Sequence, residues 1–225
     1  MSVTAILPIP ECFEQRRDAV FAPVAGLSPF ARIVRTLAPV AEVLVCGAAS
    51  LVGDLRDAVL AEGLSAVRVV GAEAPGTRAH CIAAGLRTLS HTPDLPVLLH
   101  DIGWPVVAPA TLRRVVDALD DGAVAALPTC PVTDSIKAVD GRGTVTATVD
   151  RAPLRTVQFP RGFTAGTLAQ LIDGAVPAAF DELDAVLTQG IQATLVEGDS
   201  DTIGVQLPGD ATYLAAIIEG GHPGL

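Results

Sequence analysis

Residues 97–105 read Val-Leu-Leu-His-Asp-Ile-Gly-Trp-Pro, an apolar run that ends in a single carboxylate. Strands buried on both faces carry unbroken apolar side chains, and in open α/β sheets the ligand sits beyond the strand carboxyl ends. Asp101 therefore falls where a substrate or a metal ion would be. A carboxylate at such a place also caps loops or pairs with a neighbour, so the surrounding chain has to decide.

Outward from this stretch, apolar runs at residues 3–8, 42–46, 66–70, 97–100 and 123–127 read as strands. They alternate with amphipathic segments at 28–37, 50–62, 77–89 and 109–119 that read as helices, the first opened by Ser28 as cap and Pro29 at the first helical position. Such alternation with short connections predicts a doubly wound, mostly parallel α/β sheet. The pattern breaks after Pro128. Residues 135–139 and 144–149 alternate in polarity and are joined by Asp140-Gly141-Arg142-Gly143, a hairpin signal. A hairpin this late is either an arm reaching a second subunit or a surface excursion. Helices at 164–172, 181–189 and 208–219 and strands at 193–196 and 202–206 complete the expected elements, with residues 220–225 frayed. The whole is expected to be one domain, 1–225, with the arm at about 132–160.

Composition narrows the function. The 225 residues are half hydrophobic, 4% aromatic, and carry a formal net charge of −10, which argues against non-specific grip on nucleic acid or anionic lipid. No apolar run reaches the ~20 residues of a membrane span and no signal peptide opens the chain, so a cytoplasmic location is expected. Cys12, Cys46, Cys81 and Cys130 lack paired spacing and read as small buried hydrophobes. Of the histidines, His100 is expected to pack on a sheet face, His80 to face a pocket, and His91 and His222 to lie on the surface. No nucleophile elbow, P-loop or dinucleotide fingerprint is present; residues 71–76 form only a poor phosphate-loop candidate, weakened by Glu73 and Pro75.

The order of these pieces resembles the 2-C-methyl-D-erythritol 4-phosphate cytidylyltransferase family over nearly the whole chain. The resemblance rests on Leu98-Leu99-His100-Asp101 with Pro105, on Pro131-Val132-Thr133-Asp134-Ser135-Ile136-Lys137, and on Thr148-Val149-Asp150-Arg151. Val157-Gln158 with Pro160, Gly162-Phe163, and Leu195-Val196-Glu197-Gly198 add to it. It implies a nucleotide-diphospho-sugar transferase type of sheet, a homodimer formed through the arm, and attack of a polyol phosphate on the α-phosphorus of CTP with Mg²⁺ bound alongside the nucleotide. That chemistry needs in-line positioning and neutralisation of phosphate charge. The resemblance implies Asp101 as the metal carboxylate, Asp101, Lys137 and Arg151 as catalytic, and Asp134, Ser135, Arg16, Arg17, Arg161 and Cys81 as substrate-binding candidates.

The chain departs from the family pattern on the nucleotide side. Where the family has P-A-A-G-x-G-x-R after strand one, this sequence has Pro8-Ile9-Pro10-Glu11-Cys12-Phe13-Glu14-Gln15-Arg16-Arg17, without a glycine, and Ala19 stands near the expected lysine. Proline offers no amide, phenylalanine adds bulk, and two glutamates are expected to repel a triphosphate. Trp104 replaces the arginine of H-D-x-x-R-P, Cys81 a serine, Gly204 the lysine of I-K-V, Arg161 closes the T-P-Q motif, and Phe180-Asp181-Glu182 stands for T-D-E. These changes predict weakened or lost CTP-dependent activity, as in a non-catalytic paralog. The alternatives are an active nucleotidyltransferase joining CTP to methylerythritol phosphate or a related polyol phosphate, and the same fold with a less charged ligand. The last requires Phe13, Trp104, Phe159 and Phe180 to converge.

Overall fold

A computed structural model describes residues 3–64, 66–89, 92–174 and 176–220. His91, His222 and the expected frayed residues 221–225 lie outside the described residues. The elements in chain order are β1 (Thr4–Ile9), α1 (Asp18–Phe21), α2 (Pro29–Leu37), β2 (Glu42–Gly47), α3 (Val52–Ala61), β3 (Arg68–Gly71), α4 (Arg78–Arg87), β4 (Pro96–Leu99) and α5 (Pro109–Asp120). They continue with β5 (Ala125–Pro131), β6 (Lys137–Val139), β7 (Val145–Thr148), β8 (Arg155–Val157), β9 (Arg161–Thr164), α6 (Ala165–Asp173), α7 (Glu182–Thr188), β10 (Thr194–Glu197) and α8 (Ala211–Glu219). The main sheet runs β10-β5-β9-β4-β1-β2-β3, with β8 on β5. It is parallel except at β9 and β8, which pair antiparallel. The doubly wound, mostly parallel expectation holds.

The period-2 geometry of strands divides the core in two. Ala5, Leu7 and Ile9 of β1, with Val43, Val45 and Leu98, face α2, α3 and α5 through Phe30, Leu55 and Val115. Ile6, Leu44, Val97 and Leu99 face the other way, onto Ile82 of α4 and Leu168 of α6. Both faces of β1 are buried, which is why its sequence shows no polar alternation. At α2 the Ser28 hydroxyl accepts from the Ala31 amide (3.1 Å) and Pro29 occupies the first turn, as the sequence indicates.

Two expectations need correction, and one central strand carries no sequence signal. Residues 202–206 form no strand; the segment is fastened through the Val205 amide, which donates to the Gly103 carbonyl (2.8 Å). Conversely β9, in the middle of the sheet, had no signal: four residues, beginning with arginine and containing glycine, show neither alternation nor an apolar run. Gly162 is required there, because a Cβ would meet Val115 Cγ1 at 2.6 Å. Finally, only Cys46 and Cys81 are buried; Cys12 is exposed and Cys130 half-buried. The expected hairpin is present as β6 and β7, a separate two-stranded sheet. Val139 and Val145 on it are 59% and 60% exposed, and a lone two-stranded ribbon is marginal in water.

Candidate active-site crevice

Asp101 emerges from the end of β4 beside the start of α4. Its Oδ1 accepts from the Gly103 amide (2.8 Å) and its Oδ2 from Arg78 Nη1 (2.7 Å). Arg78 also reaches Glu182 with two bonds, Nη2 to Oε1 at 2.9 Å and Nε to Oε2 at 3.2 Å. On the far side of Glu182, Arg161 Nη1 lies 2.8 Å from the same Oε1. The result is a chain of alternating charge, Asp101–Arg78–Glu182–Arg161, whose Glu182 member is 1% exposed.

Burial alone would raise the Glu182 pKa, but Arg78 and Arg161 outweigh it and hold the carboxyl below its usual range. Burial would likewise lower that of Arg78, and the Glu182 and Asp101 carboxylates raise it instead. For Arg161 burial wins, and its pKa falls despite Glu182. The guanidinium of Arg161 lies 4.2 Å from the centroid of Phe159, whose ring also contacts Trp104 (5.8 Å) and His100 (5.9 Å, edge-on). His100 Nε2 bonds the Trp104 carbonyl (3.0 Å), and burial pushes its pKa down to about 3, so it is a neutral packing residue.

The chain after β1 winds up on itself. The amide of Glu11 donates to Gly76 O (2.9 Å), that of Phe13 to Pro10 O (3.1 Å), that of Glu14 to Glu11 O (2.9 Å) and that of Arg16 to Phe13 O (3.0 Å). Pro10 has no amide to offer. Gly76, at φ +86°, fits closely beneath this turn, where a Cβ would stand 2.7 Å from Ala48 Cβ.

The two arginines that follow part company. Arg16 turns inward, donating to Leu207 O (2.6 Å), and lines a cavity of about 190 Å³ with Phe13, Ala19, Asp101 and Gly103. Arg17 turns outward to Asp54 on α3 and is not a crevice residue in this arrangement. Glu14 also leaves the crevice, accepting from the Ser50 hydroxyl, which corrects the expectation that both loop glutamates face the ligand.

Cys81 has no exposed surface; its thiol donates to Gly76 O (3.7 Å), and burial pushes its pKa up to about 12, so no thiolate is presented to a ligand. Arg161, likewise expected to bind substrate, is 8% exposed and committed to Glu182. His80 is half-buried, its Nδ1 2.7 Å from the Thr77 hydroxyl at the start of α4. Of the four aromatic residues whose convergence a less charged ligand would require, only Trp104 and Phe159 meet; Phe13 lies against Arg16 and Phe180 is buried with the α4 and α6 core. The Trp104 ring sits on Gly204, whose Cβ would stand 3.0 Å from it.

The arm residues gather separately. Lys137 Nζ donates to the Thr148 hydroxyl (2.8 Å), Arg151 to the Thr133 carbonyl, and Ser135 and Arg151 line a groove of about 260 Å³ along the hairpin. Asp134 is exposed nearby in sequence. That groove shares no lining residue with the crevice cavity.

A family model described as 2-C-methyl-D-erythritol 4-phosphate cytidylyltransferase matches residues 20–220. The chain belongs to that family. A 2-C-methyl-D-erythritol 4-phosphate cytidylyltransferase of Saccharopolyspora erythraea is 36% identical over 202 residues, covering 87% of this chain and 88% of the relative. One of Corynebacterium efficiens is 31% identical over 231 residues, covering 96% and 88%. The crystal structure of the 2-C-methyl-D-erythritol 4-phosphate cytidylyltransferase of Thermus thermophilus superposes with a TM-score of 0.73 at 24% identity, covering 97% of this chain and all of that one. The match to the cytidylyltransferase model begins at residue 20, just past the turn after β1.

Two members of the crevice in this cytidylyltransferase-family chain escaped sequence reasoning as site residues. In the sequence Glu182 stands only as the last residue of the T-D-E counterpart, and no motif marks Arg78. A signal for Arg78 existed: it is the first residue of α4, where the helix dipole disfavours a cation, so it needs carboxylates to hold it.

Proposed function

We propose that this chain is a divergent cytidylyltransferase-family protein in which CTP-dependent transfer is weakened or lost. The observation that carries the reading is the occupied state of the amides of Glu11, Phe13, Glu14 and Arg16. Main-chain N–H groups and cations aimed at phosphate oxygens are what such a reaction depends on, and these N–H groups already have carbonyl acceptors. Trp104 seated on Gly204 supports it further, since the resemblance implies cations at both positions.

Within this reading, Arg16 is the one loop cation available to an anion in the crevice, and Arg78 keeps the Asp101 carboxylate neutralised and oriented. Asp101 does not form a metal site by itself. A guanidinium lies 2.7 Å from one oxygen, an amide occupies the other, and no group of three metal-ligating side chains occurs among the described residues. Magnesium would therefore enter only together with a nucleotide. Lys137, Arg151, Ser135 and Asp134 are proposed to serve a neighbouring subunit in a homodimer, because they lie on or beside a hairpin whose groove is separate from their own crevice cavity. A single domain acting in the cytoplasm completes the proposal.

A second reading, an active enzyme joining CTP to methylerythritol phosphate, is favoured by one observation: Arg16 lines the cavity beside Asp101. A less charged ligand is favoured by the Trp104–Phe159 pair. Pyrophosphate release from CTP, Mg²⁺ and methylerythritol phosphate separates them. Expected is a rate at least ~10²-fold below that of the Thermus thermophilus relative assayed in parallel, the loss that follows removal of even one charge-stabilising contact. A comparable rate would establish the active reading instead.

A further inference from the structure

A cavity of about 450 Å³, within the size range of small-molecule sites, opens between α2, the segment after β4, α5 and the end of α8, and shares no lining residue with the crevice cavity. Its walls are apolar: Val40, Val106, Val107, Leu112 and Ile218. Three arginines join them, Arg32 and Arg35 from α2 and Arg113 from α5. In a chain with only 15 basic residues and a net charge of −10, this convergence is against the electrostatic trend.

The positive charge is largely uncompensated. Arg35 pairs with Glu62 (2.8 Å), but neither Arg32 nor Arg113 has a carboxylate within ion-pair distance among the described residues. Arg32 donates from Nη2 to the carbonyls of Val24 (3.0 Å) and Ala25 (3.3 Å), which leaves its buried Nε without a partner, and burial lowers its pKa. A half-buried cation without a counter-charge is costly, and an anion supplied from outside offsets that cost. Planar guanidinium forks suit carboxylate or phosphate oxygens.

We propose that this cavity binds an amphipathic anion, its apolar body against Val40, Val106, Val107 and Ile218 and its carboxylate or phosphate head at Arg113 and Arg32. Such binding is independent of what the crevice does. The test is a titration of labelled protein with decyl phosphate, decanoate and decanol, each below its micelle concentration, followed at the Val106 and Val107 amides. Expected are saturable shifts with one or both anions and at least about tenfold weaker binding of decanol, in line with charge-assisted recognition. The tighter anion identifies the head group. Arg113→Glu, at an exposed position, is expected to weaken anion binding about tenfold and leave decanol unaffected, and Val40→Trp to block all three. Equal binding of decanol and the anions, unchanged anion affinity in Arg113→Glu, or no shifts at all would overturn the proposal.

Discussion

Glu182 shows how much of the crevice depends on single side chains. Almost without exposure, it holds Arg78 through two bonds and Arg161 through a third, and Arg78 in turn holds Asp101. Removing one partner from a buried charge network leaves the others desolvated and unpaired, which typically costs about 3–5 kcal/mol. Glu182→Gln is therefore expected to lower the urea-unfolding free energy by about 3 kcal/mol, and an effect under about 1 kcal/mol would contradict the network's role. Because the folded-state pKa of Glu182 lies below its unfolded value, its contribution is present at neutral pH and is lost as pH falls through that depressed value. His100 acts in the same direction over a higher range. With its pKa pushed from 6.5 to about 3 by burial, the unfolded chain binds a proton that the folded one refuses between those values. Unfolding measured from pH 6 to 4 should show stability falling by up to about 1.4 kcal/mol per pH unit from this residue, and His100→Gln should flatten that slope. Asp101 was legible in the sequence because an apolar strand points to it; its partners were not, because ion pairs between residues 23 and 104 positions apart leave no local pattern.

At the scale of elements, regular βα alternation was readable wherever a helical period or an unbroken apolar run was long enough, the former in α2 and α5 and the latter in β1. It failed at β9, where the central position of the strand, not its own sequence, buries Arg161, Gly162 and Phe163. Close packing makes that strand intolerant of size. Gly162→Ala is expected to cost about 1–3 kcal/mol in chemical unfolding by driving a methyl into Val115 and Leu119, and a neutral result would mean the sheet yields there. Residues 202–206 misled in the opposite sense, since alternation is present but the hydrogen bond of Val205 goes to the Gly103 loop. The turn after β1 was legible in part: its lack of glycine indicated an altered loop, but not that its amides would close upon one another.

For the whole molecule, the arm is the feature that a single chain does not explain. Val139 and Val145 on it are exposed, and among the described residues its two strands pair with no third. If the hairpin docks on a second copy, Val139→Glu combined with Val145→Glu should convert a dimer to a monomer in sedimentation velocity while leaving the thermal midpoint of the main domain nearly unchanged. A wild-type monomer would refute the arrangement. Whether the molecule can use CTP turns on the closed turn after β1, which is tested most directly by titrating CTP with Mg²⁺ while following the backbone amide resonances of Glu11, Phe13, Glu14 and Arg16. The prediction is that all four stay unmoved at millimolar nucleotide, their protons remaining on Gly76, Pro10, Glu11 and Phe13. Saturable shifts of these four amides, reporting a triphosphate wrapped by the main chain, would contradict it.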